Sequence, residues 1–352
     1  MYSHKTCQIH DGFKVQKSQG GNHHALSQFR ENPSSLHLIT SLAKPGRDPN
    51  CSAGHHIHQD SIMKVGFIGL GAMGYPMALN LHKARLLTAV YNRTHSKAEA
   101  LAGETGCVAA CAIPDMAAQC DTFVLCVSAD QDVLAITDTL AGCLHPGTLV
   151  MDCSTVSADT ARKAAGHLAQ HAIAFLDCPV SGGTEGAKNG TLAIMCGGEE
   201  KVFERAQPVL NTLGKRSVLL GPVGAGQATK AVNQIAVAGI AQAVTEALAF
   251  AEAQGLPLDQ VIEVVGSGAA ASWFLSHRGP SMVRGQYPLG FKVALHKKDL
   301  EICQRMAGVR GVRLPVVEMT LLHYQRLLEG GHGDEDISSL FRLKHALFAP
   351  SA

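Results

Sequence analysis

The run Lys64-Val-Gly-Phe-Ile-Gly-Leu-Gly-Ala-Met-Gly-Tyr-Pro-Met-Ala-Leu-Asn-Leu81 constrains this chain more than any other segment. An apolar stretch of strand character, 65–68, runs directly into Gly69-x-Gly71-x-x-Gly74, and the pattern then turns helical. That order gives each glycine a task. Gly69 permits the tight turn, and Gly71 lets a pyrophosphate approach the backbone. Gly74 lets the new helix pack closely on the strand, so its first N–H groups point at the phosphates. Without the flanking strand and helix the triplet would be only a turn. With them it predicts a dinucleotide-binding unit.

At 352 residues the chain has room for two domains, and 46% hydrophobic against 17% charged residues is enough to build their cores. The formal net charge of +1 gives no electrostatic footprint for nucleic acid, and no basic run interleaves with aromatics. The most apolar long segment, 231–253, carries Asn233, Gln234, Gln242, Thr245 and Glu246. It reads as a buried helix, with no membrane partner expected. The eleven cysteines form no CxxC pair and no Cys/His set at zinc spacing. Cys126, Cys153, Cys178 and Cys196 sit in apolar surroundings, where cysteine behaves as a small core residue. The expectation is a reducing cytoplasm and no metal centre.

Residues 1–62 do not match the rest. They hold eight of the eighteen histidines, show no sustained apolar period, and are rich in Ser, Asn, Gly and Pro. They lack the apolar core of a secretory signal, and six basic against four acidic residues makes a poor transit peptide. His23-His24 and His55-His56-x-His58 could bind metal, but they have no carboxylate or cysteine partner. The leader is expected to be disordered, or a product of mis-assigned initiation, with Met63 as the true start.

Beyond Met63, strands are expected at 64–69, 87–92, 122–127, 147–152 and 173–178, alternating with helices near 73–85, 95–103, 130–141 and 157–170. That rhythm predicts an α/β fold, a Rossmann-type doubly wound and mostly parallel sheet. A strand at 191–196, a helix at 199–213 and a short strand at 217–220 follow. From Gln227 the pattern is helical: a long Ala-rich segment stops at Gly255-Leu-Pro257, and Asp259 is expected to cap the next helix. Further helices are expected near 296–308, 314–329 and 336–347. The organisation is therefore a nucleotide-binding domain at 63–226, joined by a long helix to an all-α C-terminal domain within 227–352, a substrate and oligomerisation domain.

The second strand ends Ala89-Val-Tyr-Asn-Arg-Thr94. An NAD-binding chain usually places Asp or Glu here, on the ribose 2′-hydroxyl. Asn92 followed by Arg93 suits a 2′-phosphate, which an acidic group would repel and a guanidinium can grip bidentately. NADP is favoured over NAD. If Arg93 only stacks on adenine, either cofactor would serve.

Four more segments, together with the glycine turn, make 64–348 resemble the β-hydroxyacid dehydrogenase family. That family includes 3-hydroxyisobutyrate dehydrogenase, tartronate semialdehyde reductase and glyoxylate/succinic semialdehyde reductases. The first is Asp152-Cys-Ser-Thr155, which in the family lies by the nicotinamide and substrate; Ser154 and Thr155 can also cap the helix that follows. Upstream, Cys126-Val127-Ser128 occupies a loop that relatives pack along the cofactor, often with Leu-Pro where this chain has Val127-Ser128. The second is Ser181-Gly182-Gly183, whose N–H groups and hydroxyl form a natural cradle for a carboxylate and which the resemblance makes the substrate-anchoring loop.

The third, Gly224-Ala-Gly-Gln-Ala-Thr-Lys-Ala-Val-Asn-Gln234, opens the long helix and puts Lys230, Asn233 and Gln234 on one face. Desolvation and the positive helix end both ease proton loss from an ammonium at this place. The family's catalytic lysine falls at Lys230, as general acid and base, and its substrate-binding asparagine at Asn233. The fourth is Phe291-Lys-Val-Ala-Leu-His-Lys-Lys-Asp-Leu300. There the resemblance sends Lys298 to the cofactor; Asp299 would orient it or cap structure, and His296 and Lys297 would face solvent. Ser272-Trp273, ahead of an Arg278-Gly-Pro turn, holds the one tryptophan, read as packing between domains and grazing the site.

By resemblance, substrate contacts are Ser154, Ser181, Gly182, Gly183 and Asn233. The cofactor would lie along Gly69, Leu70, Gly71, Met73, Gly74, Asn92, Arg93, Thr94, Val127, Ser128, Thr155 and Lys298. The family implies an oxidoreductase that interconverts a small carboxylate-bearing semialdehyde or keto acid and its hydroxy acid, as a homodimer or homotetramer. Imine reductases share the architecture but generally replace the lysine, and 6-phosphogluconate dehydrogenase has a much longer helical domain. A non-catalytic NADP-binding adaptor would lose the lysine and carry a basic appendage.

Overall fold

A computed structural model of the chain describes residues 63–348. The leader at 1–62, with its histidine groups, lies outside the described residues, as do the last four.

The first half is an alternation of strand and helix. In order come β1 (Val65–Ile68), α1 (Gly74–Lys83), β2 (Leu87–Tyr91), α2 (His95–Thr105), β3 (Val108–Ala109) and α3 (Pro114–Ala117). Then follow β4 (Thr122–Leu125), α4 (Asp130–Ala141), β5 (Leu149–Asp152), α5 (Ala158–Ala169) and β6 (Ala174–Asp177). The strands pair in the order β3-β2-β1-β4-β5-β6, every pair parallel. β1, β4 and β5 are buried along their whole length, as a sheet covered by helices on both faces requires. One face packs Phe67, Val124 and Met151 against Met77 and Leu81 of α1. The other packs Ile68, Phe123 and Val150 against Leu140 of α4 and Leu168 of α5. Between β1 and β4 the strand order reverses. The crevice outside those two strand ends is where an open α/β sheet receives a ligand.

A smaller sheet is appended. β7 (Val180–Ser181), α6 (Gly183–Asn189), β8 (Leu192–Cys196), α7 (Glu200–Arg205), α8 (Gln207–Leu213) and β9 (Gly214–Leu219) follow in order. β8 pairs antiparallel with β7 and parallel with β9. A bridge between Asp177 and Gly197 stitches this sheet to the end of β6.

The rest is helical: α9 (Ala225–Ala253), α10 (Leu258–Gly266), α11 (Trp273–Met282), α12 (Val293–Gly308), α13 (Pro315–Glu329), a 3-10 turn (Ile337–Ser339) and α14 (Leu340–Ala346). α9 touches each of α10 to α14 and is their common axis. It is also the one described helix long and apolar enough to cross a membrane, with half of its most apolar window buried inside the protein. Leu248, Met282, Leu300, Tyr324 and Leu340 form the helical core around it.

Several expectations need correction. The helix expected over 199–213 is two, α7 and α8, because Pro208 supplies no N–H and forces a restart. Asp259 caps nothing: Pro257 precedes the helix, and Asp259 sits in its first turn, where its charge still suits the positive helix end. Arg278-Gly-Pro is not a turn but the interior of α11. Ser272 caps that helix by accepting from the Leu275 N–H (3.1 Å). Buried Phe274, Leu275 and Met282 hold it despite Pro280, and Gly279 admits the Ile262 side chain of α10. The short elements β3, α3, β7 and α6 escaped the periodicity, being too brief to display one.

Candidate active site

The glycine turn is built as its spacing predicts. Gly69 takes φ +101°, and a Cβ there would collide with the Cys126 carbonyl oxygen of the neighbouring strand end. A Cβ on Gly74 would collide with the Gly69 carbonyl oxygen, so the close start of α1 needs glycine. Gly71 is the informative contrast. Its missing Cβ would meet no heavy atom of the described residues within 4 Å. The space is open where a phosphate needs to reach the backbone, and on that ground the turn fits a dinucleotide.

Asn92 fastens the turn from the end of β2. Its Oδ1 accepts the Leu70 N–H (2.9 Å) and its Nδ2 donates to the Thr94 carbonyl (2.9 Å). The amide is thus committed to holding the loop. Arg93 beside it is 88% exposed and lies 3.6 Å from Asp132, a loose surface pair that leaves the guanidinium available. Met73 precedes α1 and Thr94 precedes α2, neither hydrogen-bonding as a side-chain cap.

At the ends of β4 and β5 the chain is tied together by Ser154. Its hydroxyl accepts the Val127 N–H (2.9 Å), and its own N–H donates to Asp152 Oδ1 (3.0 Å). Ser154 is only 2% exposed, so in this structure its side chain supports Val127 from behind. The capping role that Ser154 and Thr155 shared as an alternative belongs instead to Ser157, whose Oγ accepts the Thr160 N–H (3.1 Å).

The long helix α9 is anchored by groups the sequence did not single out. The buried Asp177 carboxylate accepts the Gly224 N–H through Oδ1 (2.7 Å) and the Gln227 N–H through Oδ2 (2.8 Å). Gln227 in turn donates from Nε2 to the Ser154 carbonyl (2.8 Å) and accepts the Val156 N–H (3.2 Å). The start of α9 is therefore fixed to β6 and to the loop after β5 at once.

From that footing α9 presents Lys230 to the start of β7 and Asn233 beside Gln234. Lys230 is 7% exposed, and its Nζ donates to the Val180 carbonyl at 2.8 Å. Burial holds its pKa below the ordinary lysine value, an effect that Asp299 opposes and Lys298 reinforces. The residue after Val180 begins the Ser181-Gly182-Gly183 loop, where Gly182 and Gly183 take φ +135° and +61°. In α6 the Gly186 N–H is bonded to the Gly182 carbonyl (3.0 Å). Val180 thus joins the lysine to the strand that leads into the loop.

A polar chain then crosses to α12. Asn233 Nδ2 donates to Gln234 Oε1 (2.8 Å), and Gln234 Nε2 donates to Asp299 Oδ2 (2.6 Å). Asp299 Oδ1 stands 3.0 Å from Lys298 Nζ, which also donates to the carbonyls of Ser128 (3.1 Å) and Thr155 (2.9 Å). Lys298 thereby spans both strand-end loops.

The expectation that His296 and Lys297 face solvent fails for His296. It is fully buried, with Nδ1 at 2.9 Å from the Tyr324 hydroxyl and Nε2 at 3.2 Å from the Gln234 carbonyl. Burial pushes its pKa down to about 4, so it is a neutral hydrogen-bonding strut. Lys297 is partly buried and paired with Glu301. Among the described residues no cluster of His, Cys, Asp and Glu could hold a metal ion.

Residues 64–221 match the family described as the NAD binding domain of 6-phosphogluconate dehydrogenase. Residues 224–344 match that described as NAD-binding of NADP-dependent 3-hydroxyisobutyrate dehydrogenase. The chain is 41% identical over 280 residues to an uncharacterised oxidoreductase of Shewanella frigidimarina, covering 79% of this chain and 96% of that protein. It is 37% identical over 256 residues to 2-hydroxy-3-oxopropionate reductase of Escherichia coli, covering 72% and 87%. Among solved structures, 3-hydroxyisobutyrate dehydrogenase of Mycobacterium tuberculosis with L-serine superposes with a TM-score of 0.75 at 29% identity, covering 80% and 99%.

Proposed function

The chain belongs to the β-hydroxyacid dehydrogenase family, and we propose that it interconverts a small semialdehyde or keto acid and the matching hydroxy acid. In the broader sense its activity follows from the family: NAD(P)-dependent oxidoreduction at a CH–OH group. When bound, the nicotinamide supplies or accepts the hydride.

The observation that carries the reading is the 2.8 Å bond from buried Lys230 to Val180, at the edge of the Ser181-Gly182-Gly183 loop. One N–H of the ammonium is spent on that carbonyl, which leaves two to face a substrate. In the reductive direction Lys230 delivers a proton to the carbonyl oxygen; in the oxidative direction its neutral amine takes the hydroxyl proton. A pKa lowered by burial makes either step easier than for an exposed lysine. The N–H groups and hydroxyl of Ser181, Gly182 and Gly183 hold the substrate carboxylate, and Asn233 orients the reacting oxygen. The glycine turn, with Leu70, Met73, Asn92, Arg93 and Thr94, would hold the adenosine and phosphate portion. Val127, Ser128, Thr155 and Lys298 would line the other end.

Two finer points belong to the same reading. NADP is preferred, because Arg93 is exposed and no carboxylate occupies the end of β2. A homodimer or homotetramer is favoured by the uncovered apolar side chains Val232 and Ile240 on α9 and Val316 and Met319 on α13. The nine described cysteines are free thiols, in keeping with a cytoplasmic location.

The test is oxidation of NADPH and NADH by the protein with glyoxylate and a panel of short semialdehydes, with Lys230→Ala alongside. Turnover that collapses in the variant supports the reading. Turnover untouched by the substitution would remove Lys230 from the chemistry, and no turnover on any substrate would count against the reaction class.

A further inference from the structure

We propose that Arg278 reads a second acidic group on the substrate, so that the preferred substrates are short dicarboxylates bearing the reacting carbonyl or hydroxyl. The inference rests on the Ser181-Gly182-Gly183 loop being the primary carboxylate anchor.

Arg278 lies midway along α11, with its side chain 20% exposed. Its guanidinium lies directly over the bare backbone of Gly290: a Cβ there would collide with Nη2 and sit 3.0 Å from Cζ. Gly290 faces the anchoring loop, since its carbonyl oxygen is 3.5 Å from where a Cβ on Gly183 would be. The guanidinium and the loop therefore flank the Gly290 backbone, roughly 8 Å apart at backbone dimensions. That is a distance a short-chain diacid can span.

The guanidinium is held in place but not satisfied. Its ion pair with Asp336 is loose, 3.5 Å from Nε to Oδ1 and not a hydrogen bond. The four stronger contacts of that carboxylate go elsewhere. Oδ2 accepts the Gly290 (3.0 Å) and Phe291 (2.9 Å) N–H groups, and Oδ1 accepts the Ser338 N–H (3.0 Å) and hydroxyl (2.7 Å). Among the described residues no acceptor forms a hydrogen bond with either Nη of Arg278. The nearby cations differ: Lys292 bonds Asp334, and Arg342 bonds Glu335 through two nitrogens. A mostly buried guanidinium with its outer edge unbonded is poised for a carboxylate, the partner its planar fork fits bidentately. Trp273 forms the adjoining wall, its ring centroid 5.4 Å from Arg278 Cζ and its other contact a stack with His277 at 4.4 Å.

Trp273 is the chain's one tryptophan, so its fluorescence reports directly on this corner. The experiment titrates the NADP+-loaded full-length protein with succinate and glutarate, and with propionate and butyrate as matched monoacids. The expected result is a saturable change in Trp273 emission at ligand concentrations about 10- to 100-fold lower for the diacids. Arg278→Gln should erase that preference and leave the monoacid titration in place, with a lowered melting temperature from the lost pair with buried Asp336, and Arg278→Lys should restore part of both. Equal titration by diacids and monoacids, or a preference that survives in Arg278→Gln, would overturn the proposal. Diacid preference without any NADPH-dependent reduction of aldehydes would instead defeat the reaction reading and leave this one standing.

Discussion

Lys230 donates its Nζ proton to the carbonyl oxygen of Val180 across 2.8 Å, joining the second turn of α9 to the strand that opens the anchoring loop. The bond aims the ammonium, and burial keeps its proton loosely held. Replacing Lys230 by Met keeps the apolar stem and removes the proton. The expected outcome is a fall in kcat of about 100- to 10,000-fold with NADPH affinity nearly unchanged. The pH profile adds a second readout. Wild-type reductive turnover should decline on the alkaline side as Lys230 deprotonates, below the ordinary lysine range, and that limb should vanish from the residual activity of the variant.

Asp177 is the counterpart at the base of the same helix. One carboxylate there satisfies the N–H groups of Gly224 and Gln227, and the site has no exposure to let water replace it. Asp177→Ala should cost about 2–4 kcal/mol of unfolding free energy, more than an exposed cap, because two buried donors lose their partner. Urea titration measures it. A loss under about 0.5 kcal/mol would show that the start of α9 is held by Gln227 and packing alone.

Cofactor choice is tested at Arg93. Because the side chain is 88% exposed and only loosely paired with Asp132, its removal should leave folding intact. Arg93→Ser should raise the KM for NADPH by about 10-fold or more and leave that for NADH within about twofold. Equal effects on both cofactors would mean that the guanidinium stacks on the adenine and does not grip a 2′-phosphate.

How much of this was legible depends on how local each cause is. The glycine turn, the alternating strands and the Ala-rich helix arise from periodicity and from steric demands within a dozen residues, and they appear where the pattern put them. Lys230 and Lys298 came through the family resemblance, which carries geometry no spacing encodes. His296 did not come at all. Flanked by Lys297 and Lys298 it reads as a polar helix face, yet partners 28 and 62 residues away in the chain bury it. Asp177 sat near the end of the strand expected at 173–178, and nothing in its neighbours says that it caps a helix beginning 48 positions later. Asp336, which ties the 290–291 backbone to the start of the 3-10 turn, is equally invisible before folding.

Asp152 provides a test of the strand-end electrostatics in the folding equilibrium itself. Its side chain is fully buried, Oδ1 accepts the Ser154 N–H, and Oδ2 finds no hydrogen-bond partner among the described residues. Burial, reinforced by the carboxylates of Asp177 and Asp130, lifts its pKa from 3.8 to about 7; the thiols of Cys126 and Cys153 also face it. The folded state therefore keeps a proton that the unfolded chain has lost. Stability from this group is complete below the unfolded value and is lost as pH rises toward 7, by at most about 1.4 kcal/mol per pH unit. His296, with its pKa depressed to about 4, works the other way between pH 4 and 6.5 and cancels when two proteins that share it are compared. Asp152→Asn imitates the protonated acid at every pH. Relative to wild type, the variant should gain about 1–3 kcal/mol between pH 5 and pH 8 in urea unfolding. Parallel stability curves across that range would mean that Asp152 is already ionised in the folded protein, and that water or a bound cofactor reaches Oδ2.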